Sequence, residues 1–452
     1  MAKLALRQEG FNSGVLSKKL LGKISLAQYD NGLYDSENTI CLKHGPTTTR
    51  PGFKFIYEVK DPTKTQRIIP FSKSVTDNIL IEAGEGYFRF FTFDGQSMGV
   101  IEDPTAPGTP YEIVNCFNAV QAMTFQYVQS ADVLYITQAG CPPKKLARYA
   151  DNDWEFTDIL FLDGPYKDMN TDESHELVPA ATSGENVSIA LKEISISNEP
   201  QTFADGYIIL DQSHVLTGTV VLSRAPADTP VYTEGVDYSI DYSYTVGGVT
   251  DYCKITNLGA AIGTTQNVYV DYDYEPYNPE VGHFTSEWLG RHIRINNAVP
   301  PAVQWGWGII TEIVNDHEIK VNVIEDFATT NATSYWRLGE FSEATGFPEA
   351  VTIHQQRLCF ANWNGYKQKI TGSRLFSYTD FSPSKPDGEV TDVESFSYDI
   401  STEKINSIKW LRSKGKSLIA GADGGEFSLF PSGATLSPLD LASKRESNYG
   451  SI

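Results

Sequence analysis

Apolar and polar positions alternate along much of this chain, and one arrangement recurs three times. Segments 78–84, 132–140 and 416–424 are each a short apolar run closed by glycine. Each is flanked by further strand-like runs: 67–72 and 87–93, 122–129 and 145–149, 405–411 and 426–430. Strand, tight turn, apolar strand, glycine turn, strand is the pattern of a meandering antiparallel sheet, and several such sheets separated by inserted material read as blades of a β-propeller. Ordinary hairpins of another all-β fold are the competing reading.

Around these units the pattern changes. Residues 16–29 place apolar side chains at 16, 20, 21, 24 and 27, a helical spacing with Gly32 as a stop, and predict one N-terminal helix. A short strand is expected at 39–42, and the turn pair Pro51-Gly52 delivers a second at 53–59. Hairpin turns are expected at Asp94-Gly95, Asn152-Asp153 and Asn364-Gly365. Residues 167–182 are polar, acidic and turn-rich, the texture of a linker. Six or seven short strands in 183–280 suggest a β-sandwich, in which Asp271 and Asp273 share one strand face and Tyr272 and Tyr274 the other. About four more strands in 286–340 suit a small β-barrel. The reading is all-β: an N-terminal helix and strands (1–60), first propeller blades (61–166), a linker (167–182), an inserted sandwich-like domain (183–285), a small barrel (286–340) and later blades (341–452).

Composition narrows the function classes. No apolar run approaches the roughly 18–20 residues that cross a bilayer, and the first residues are too charged for a secretory signal, so folding in a cytosol is expected. The five cysteines, Cys41, Cys116, Cys141, Cys253 and Cys359, form no C-x-x-C pair and read as scattered reduced thiols. Net charge is −21, and residues 151–290, with 4 basic and 24 acidic side chains, hold −20 of it. Such a segment repels nucleic acid, whereas residues 1–60 carry +4.

Motifs for chemistry are weak. Lys414-Gly415-Lys416-Ser417 lacks the upstream glycine of a phosphate loop, since position 410 is Trp. Asp271, Asp273 and Glu275 have calcium-loop spacing, but Pro276 and Gly282 stand where the loop needs Gly and Glu. No histidine pair has metalloprotease spacing, and His354 beside Gln355, Gln356 and Arg357 suits a polar packing role better than a general base. An acid pair for glycoside hydrolysis stays open, because carboxylates abound and their separation is unreadable.

Several segments together resemble one family. The stretches 11–17 and 29–32 with Arg50, Pro51 and Gly52 are similar to the opening of short-tailed phage (podovirus) tail nozzle proteins, the tail tubular protein B family. The segment 346–361, with Gln355, Gln356 and Arg357, then Ser373 and Arg374 and the pair Asp380-Phe381, resembles that family's central signature. Segments 424–427 and 447–451 resemble its later blades. The resemblance implies a propeller with inserted β domains and a structural, non-enzymatic virion protein without cofactor or metal. It implies a homo-oligomer, a hexamer, beneath the portal and head-to-tail adaptor ring, meeting tail fibres or tailspikes, through which genomic double-stranded DNA is retained and ejected without sequence-specific binding. Family chains run longer, so the blades of 341–452 are expected to be an incomplete set. On this reading Asp271, Asp273 and Glu275 are candidate channel-lining acids, and Lys18, Lys19 and Lys23 candidate adaptor-docking residues. A glycan-binding or glycan-degrading tail component, and a cellular propeller scaffold, are the alternatives.

Overall fold

The computed structural model describes residues 8–93, 98–173, 175–226, 232–246, 249–259, 261–263, 267–274, 284–400 and 406–451. The chain is almost entirely β and divides into two compact units, Met1–Pro62 with Met98–Val100, and Thr63–Ser97 with Ile101–Ile452.

In the first unit the expected helix does not form. A 3-10 turn occupies Lys18–Leu20, with none of its residues buried. Turns then repeat in steps of three, the amides of Lys23, Leu26, Tyr29 and Gly32 each donating to the carbonyl three residues earlier. Gly22 at φ +85 breaks the right-handed path, and Ile24 is 77% exposed. An amphipathic helix draws its stability from burying its apolar face, and here Leu21, Ile24 and Ala27 of that face are exposed and Leu16 and Leu20 only half-buried. Thr39–Cys41 pairs with Thr47–Thr49. Residues 53–59 are in no strand.

The second unit holds antiparallel meanders, of which the second, third and fourth are four-stranded. The second runs Gln126–Ser130, Val133–Gln138, Cys141–Ala150, Asp153–Asp158. The third runs Ala350–His354, Arg357–Trp363, Tyr366–Gly372, Phe396–Asp399. The fourth runs Ile408–Lys414, Ser417–Ala422, Gly425–Phe430, Ala442–Ser447. The first has Arg67–Ser72, Asn78–Gly84 and Tyr87–Phe93 in order, with Glu112–Val114 also on Tyr87–Phe93. The three recurring apolar runs are the second strands of the first, second and fourth of these sheets. Glycines recur there for close approach: at Gly84 a Cβ would strike the Tyr87 ring, and at Gly421 the Trp410 indole. The turn expected at Asp94-Gly95 lies outside the described residues. In the second sheet a short helix, Ala119–Thr124, precedes the first strand. It is capped by Asn118, with Gln121 reaching back to the cap amide.

Successive meanders pack face to face. One core joins Ile69, Phe71, Phe88 and Phe90 of the first to Leu134, Leu146 and Trp154 of the second. Another joins Val351, Leu358 and Phe360 of the third to Ile159, with Val128 and Tyr135 of the second packed on it. A third links Cys359, Ala361 and Ile370 to Leu411, Leu418 and Phe427 of the fourth.

Between the second and third meanders the chain makes a nested excursion. An antiparallel six-stranded sheet has the order Leu177–Pro179, Val187–Leu191, Glu318–Glu325, Trp305–Ile313, His292–Asn296, Trp336–Leu338. It curls until its margins meet, Leu177 and Thr333 exchanging backbone hydrogen bonds of 2.9 and 3.1 Å. This sheet stands where the small barrel of 286–340 was expected, but it also takes in two strands from the stretches read as linker and sandwich. Leu177 and His175, in the expected linker, are 0% and 1% exposed. Inside this sheet's sequence sit two three-stranded sheets: Ile194–Thr202, Asn267–Tyr274, Val221–Ser223, and Tyr207–Ser213, Val249–Asn257, Tyr238–Val246. They share one core of Leu210, Leu222, Cys253, Ile255, Val270 and Tyr272.

Candidate functional site

The family-like residues of the third meander converge on one buried node. Its first hairpin has a two-residue turn, Gln355-Gln356, between the paired His354 and Arg357. Both turn residues are left-handed, at φ 46 and 61, the conformation of a type I′ turn whose twist matches the flanking strands. Gln355 is locked from the neighbouring sheet: its Oε1 accepts from the Leu436 amide at 2.7 Å and its Nε2 donates to Ala434 O at 3.3 Å. Arg357 is fully buried. Its guanidinium donates to the carbonyls of Ser373 (2.7 Å), Glu394 (2.7 Å), Val393 (3.2 Å) and Asp392, and burial lowers its pKa. Ser373 Oγ accepts from the Leu358 amide at 2.9 Å. Arg374 faces Asp380 at 3.5 Å and Glu394 at 3.6 Å. His354 is 1% exposed, with Nδ1 2.8 Å from Ser413 Oγ of the fourth meander, and burial pushes its pKa down. The node is a clamp on backbone: the two terminal nitrogens of Arg357 bind carbonyls and Nδ1 of His354 meets a hydroxyl of the adjacent sheet, while Arg357 Nε and His354 Nε2 are buried without a hydrogen-bond partner among the described residues.

A second feature lies where the first strands of all four meanders meet. Arg67, Gln126, Tyr127, Val351, Trp410, Leu411 and Arg412 line a cavity of about 530 Å³. Arg67 donates to Phe125 O at 2.5 Å and Met123 O at 3.3 Å and lies over the Phe125 and Tyr127 rings. Gln126 donates across to Lys409 O. The strand repeat pointed to three of these strands but not to that of the third meander, nor to the hollow, whose lining comes from four segments scattered over more than 300 residues.

A third feature is the ionic junction between the curled sheet and the third meander. Asp163 accepts from Tyr166 Oη and faces Arg294 at 3.5 Å. Glu340 is held by Lys369 Nζ at 3.1 Å and Trp363 Nε1 at 3.2 Å. Burial raises the pKa of both carboxyls, against the pull of their cations. A signal was present in the sequence: Arg294 sits between Ile293 and Ile295, where a charge needs a buried partner.

The other sequence candidates are dispersed. Asp271 and Asp273 lie half-buried on the outer face of Asn267–Tyr274, opposite Val270 and Tyr272. Asp271 Oδ1 accepts from the Asn198 amide at 2.5 Å, tying down the bulge between Ile196 and Glu199. Glu275, Pro276 and Gly282 lie outside the described residues. Lys18, Lys19 and Lys23 are exposed in the first unit, as are Pro51 and Gly52. There Arg50 donates to Asn38 Oδ1 at 2.9 Å and lies over Phe53. Gly415-Lys416 is a hairpin turn between the paired Lys414 and Ser417. Among the described residues no group of three metal-binding side chains occurs, and no helix is long and apolar enough to cross a membrane. Comparison with protein-family models and with curated proteins found no match.

Proposed function

We propose that this chain is a tail nozzle subunit of a short-tailed phage, a structural protein assembling as a hexamer below the portal and its adaptor and serving as a conduit for the genome. One observation carries the reading. The segments resembling the family's central signature form a single clamp, Gln355, Gln356, Arg357, Ser373 and Arg374, that ties one four-stranded meander to its own loops and to the next sheet. Four meanders packed in sequence, first strands around a hollow, support a propeller as the finer architecture. The nested excursion supports an inserted-domain organisation.

The mechanism is electrostatic. A duplex carries one negative charge per about 1.7 Å of axis, and a cationic wall would hold it at many points. An acidic wall leaves it in a hydrated gap, with a reach of about 8 Å at physiological salt. Asp271 and Asp273 belong to the segment that carries −20 and are the proposed wall. A cavity of about 530 Å³ is of small-ligand size, so the duplex runs between copies rather than through one chain. The test is a symmetry-resolved map of intact particles, with six copies on the exit path expected. Absence from the virion, or a position away from that path, overturns the proposal; release of reducing ends from host polysaccharide by purified protein replaces it with the glycan-degrading one.

A further inference from the structure

Two of the five cysteines are not scattered. Cys116 Sγ and Cys141 Sγ lie 3.1 Å apart. Cys116 is exposed, in the segment that returns from the first meander, and its neighbours fix it. Asn115 donates from Nδ2 to Gly84 O at 3.2 Å and Tyr87 O at 2.7 Å, and Phe117 stacks on Phe125 with ring centres 5.1 Å apart. Cys141, 9% exposed, opens the third strand of the second meander, where it pairs with Gln138 across a turn closed by Gly140 at φ +77. Cys253 and Cys359 are fully buried, and Cys41 belongs to the other unit.

We propose that Cys116 and Cys141 are a dithiol redox pair that small-molecule disulfides convert to a cystine, joining the first meander's return loop to the second meander. The groups around them suit the chemistry. The hydrogen bond from Cys141, aided by the Lys144 ammonium, draws the Cys116 thiol down to about 7 against burial and the Asp158 carboxylate. Lys144 is itself paired with Asp158. The same contact and burial push Cys141 up. The exposed sulfur is therefore the nucleophile and the covered one the resolving thiol. In the first step the Cys116 thiolate attacks one sulfur of the small disulfide; that S–S bond breaks, and a thiolate departs with the electron pair and takes a proton from water. In the second, Cys141 gives up its proton to solvent and attacks Cys116 Sγ, expelling the other thiolate. The protein loses two electrons and two protons, and the small disulfide becomes two thiols.

The bond closes a loop holding the helix Ala119–Thr124 and the strands Gln126–Ser130 and Val133–Gln138, so it restricts the unfolded chain and raises resistance to heat. The chemistry is independent of the tail reading, which supplies only the occasion: passage from a reducing cytosol to an oxidising exterior.

The test uses the purified full chain with oxidised glutathione at mildly alkaline pH. Thiols titrated in denaturant should fall from five to three, peptide mapping without reductant should recover a 116–141 crosslink, and the unfolding midpoint should rise. Cys141→Ser should trap a glutathione adduct at Cys116, and Cys116→Ser should keep its remaining thiols. An unchanged count, a lasting adduct on wild-type Cys116, a bond to any other cysteine, or a crosslink with no rise in midpoint overturns the proposal, whatever the particle map shows.

Discussion

Arg357 shows how much of one residue's role depends on where its partners fold. Its donors meet carbonyls from residues 373 and 392–394, so Arg357→Met would strand buried acceptors beneath a well-packed sheet. A loss of about 1–3 kcal/mol is expected in urea unfolding, and Arg357→Lys should recover only part of it, because an ammonium cannot reproduce the planar fork. His354 gives a pH signature. Its pKa is held below 6.5 in the fold, so on acidification the unfolded chain takes up a proton that the folded chain refuses. Its contribution is complete above that value and is lost as pH falls below it. His354→Gln should flatten that limb of the stability curve; an unaltered slope would exclude the imidazole as its source. The sequence marked both positions as part of a family-like run and read His354 as a packing residue. The backbone targets of Arg357 were invisible, because carbonyls carry no side-chain code.

At the scale of elements, legibility follows how local the determinants are. Asn364-Gly365 reads as a hairpin because its residue types favour left-handed backbone, and it closes the pair Trp363 and Tyr366. Gln355-Gln356 also closes a two-residue hairpin, with both residues left-handed where only Gly365 is in the other, and its residue types do not announce it. Gln356→Gly should relieve the left-handed cost and stabilise the protein by about 0.5–1 kcal/mol after the added freedom of the unfolded chain, read as a higher melting midpoint. Gln355→Gly should not, because it forfeits the bonds to Ala434 and Leu436. The helix at Ala119–Thr124 was encoded by an Asn118 and Gln121 capping pair that a strand reading of 122–129 passed over. Val187–Leu191, read with the sandwich-like insert, pairs elsewhere for another reason. Its alternation of buried and half-buried residues suits either neighbouring sheet, and its partners are Leu177–Pro179 and the distant strand Glu318–Glu325. Local periodicity fixes strands, not the sheets they join.

For the whole molecule, charge is the property the sequence displayed best, and it orders the assembly proposal. The basic amino-terminal segment exposes Lys18, Lys19 and Lys23. Replacing all three with Glu should reduce tail assembly on purified adaptor-bearing heads, with the deficit growing as ionic strength is lowered, since exposed charges act through screened, salt-dependent forces. Undiminished assembly would remove these lysines from the docking surface. Finally, the outgoing and returning chains of the long excursion run side by side, Tyr166 bridging Gly339 and the Glu340 amide donating to Pro165 O at 2.7 Å. The excursion is thus a graft on a stem. Loops beyond the graft point can be lengthened without shifting one rung in the meanders, while Asp163 with Arg294 and Glu340 with Lys369 hold the scion in place. A lineage could fit new tips to an unchanged trunk.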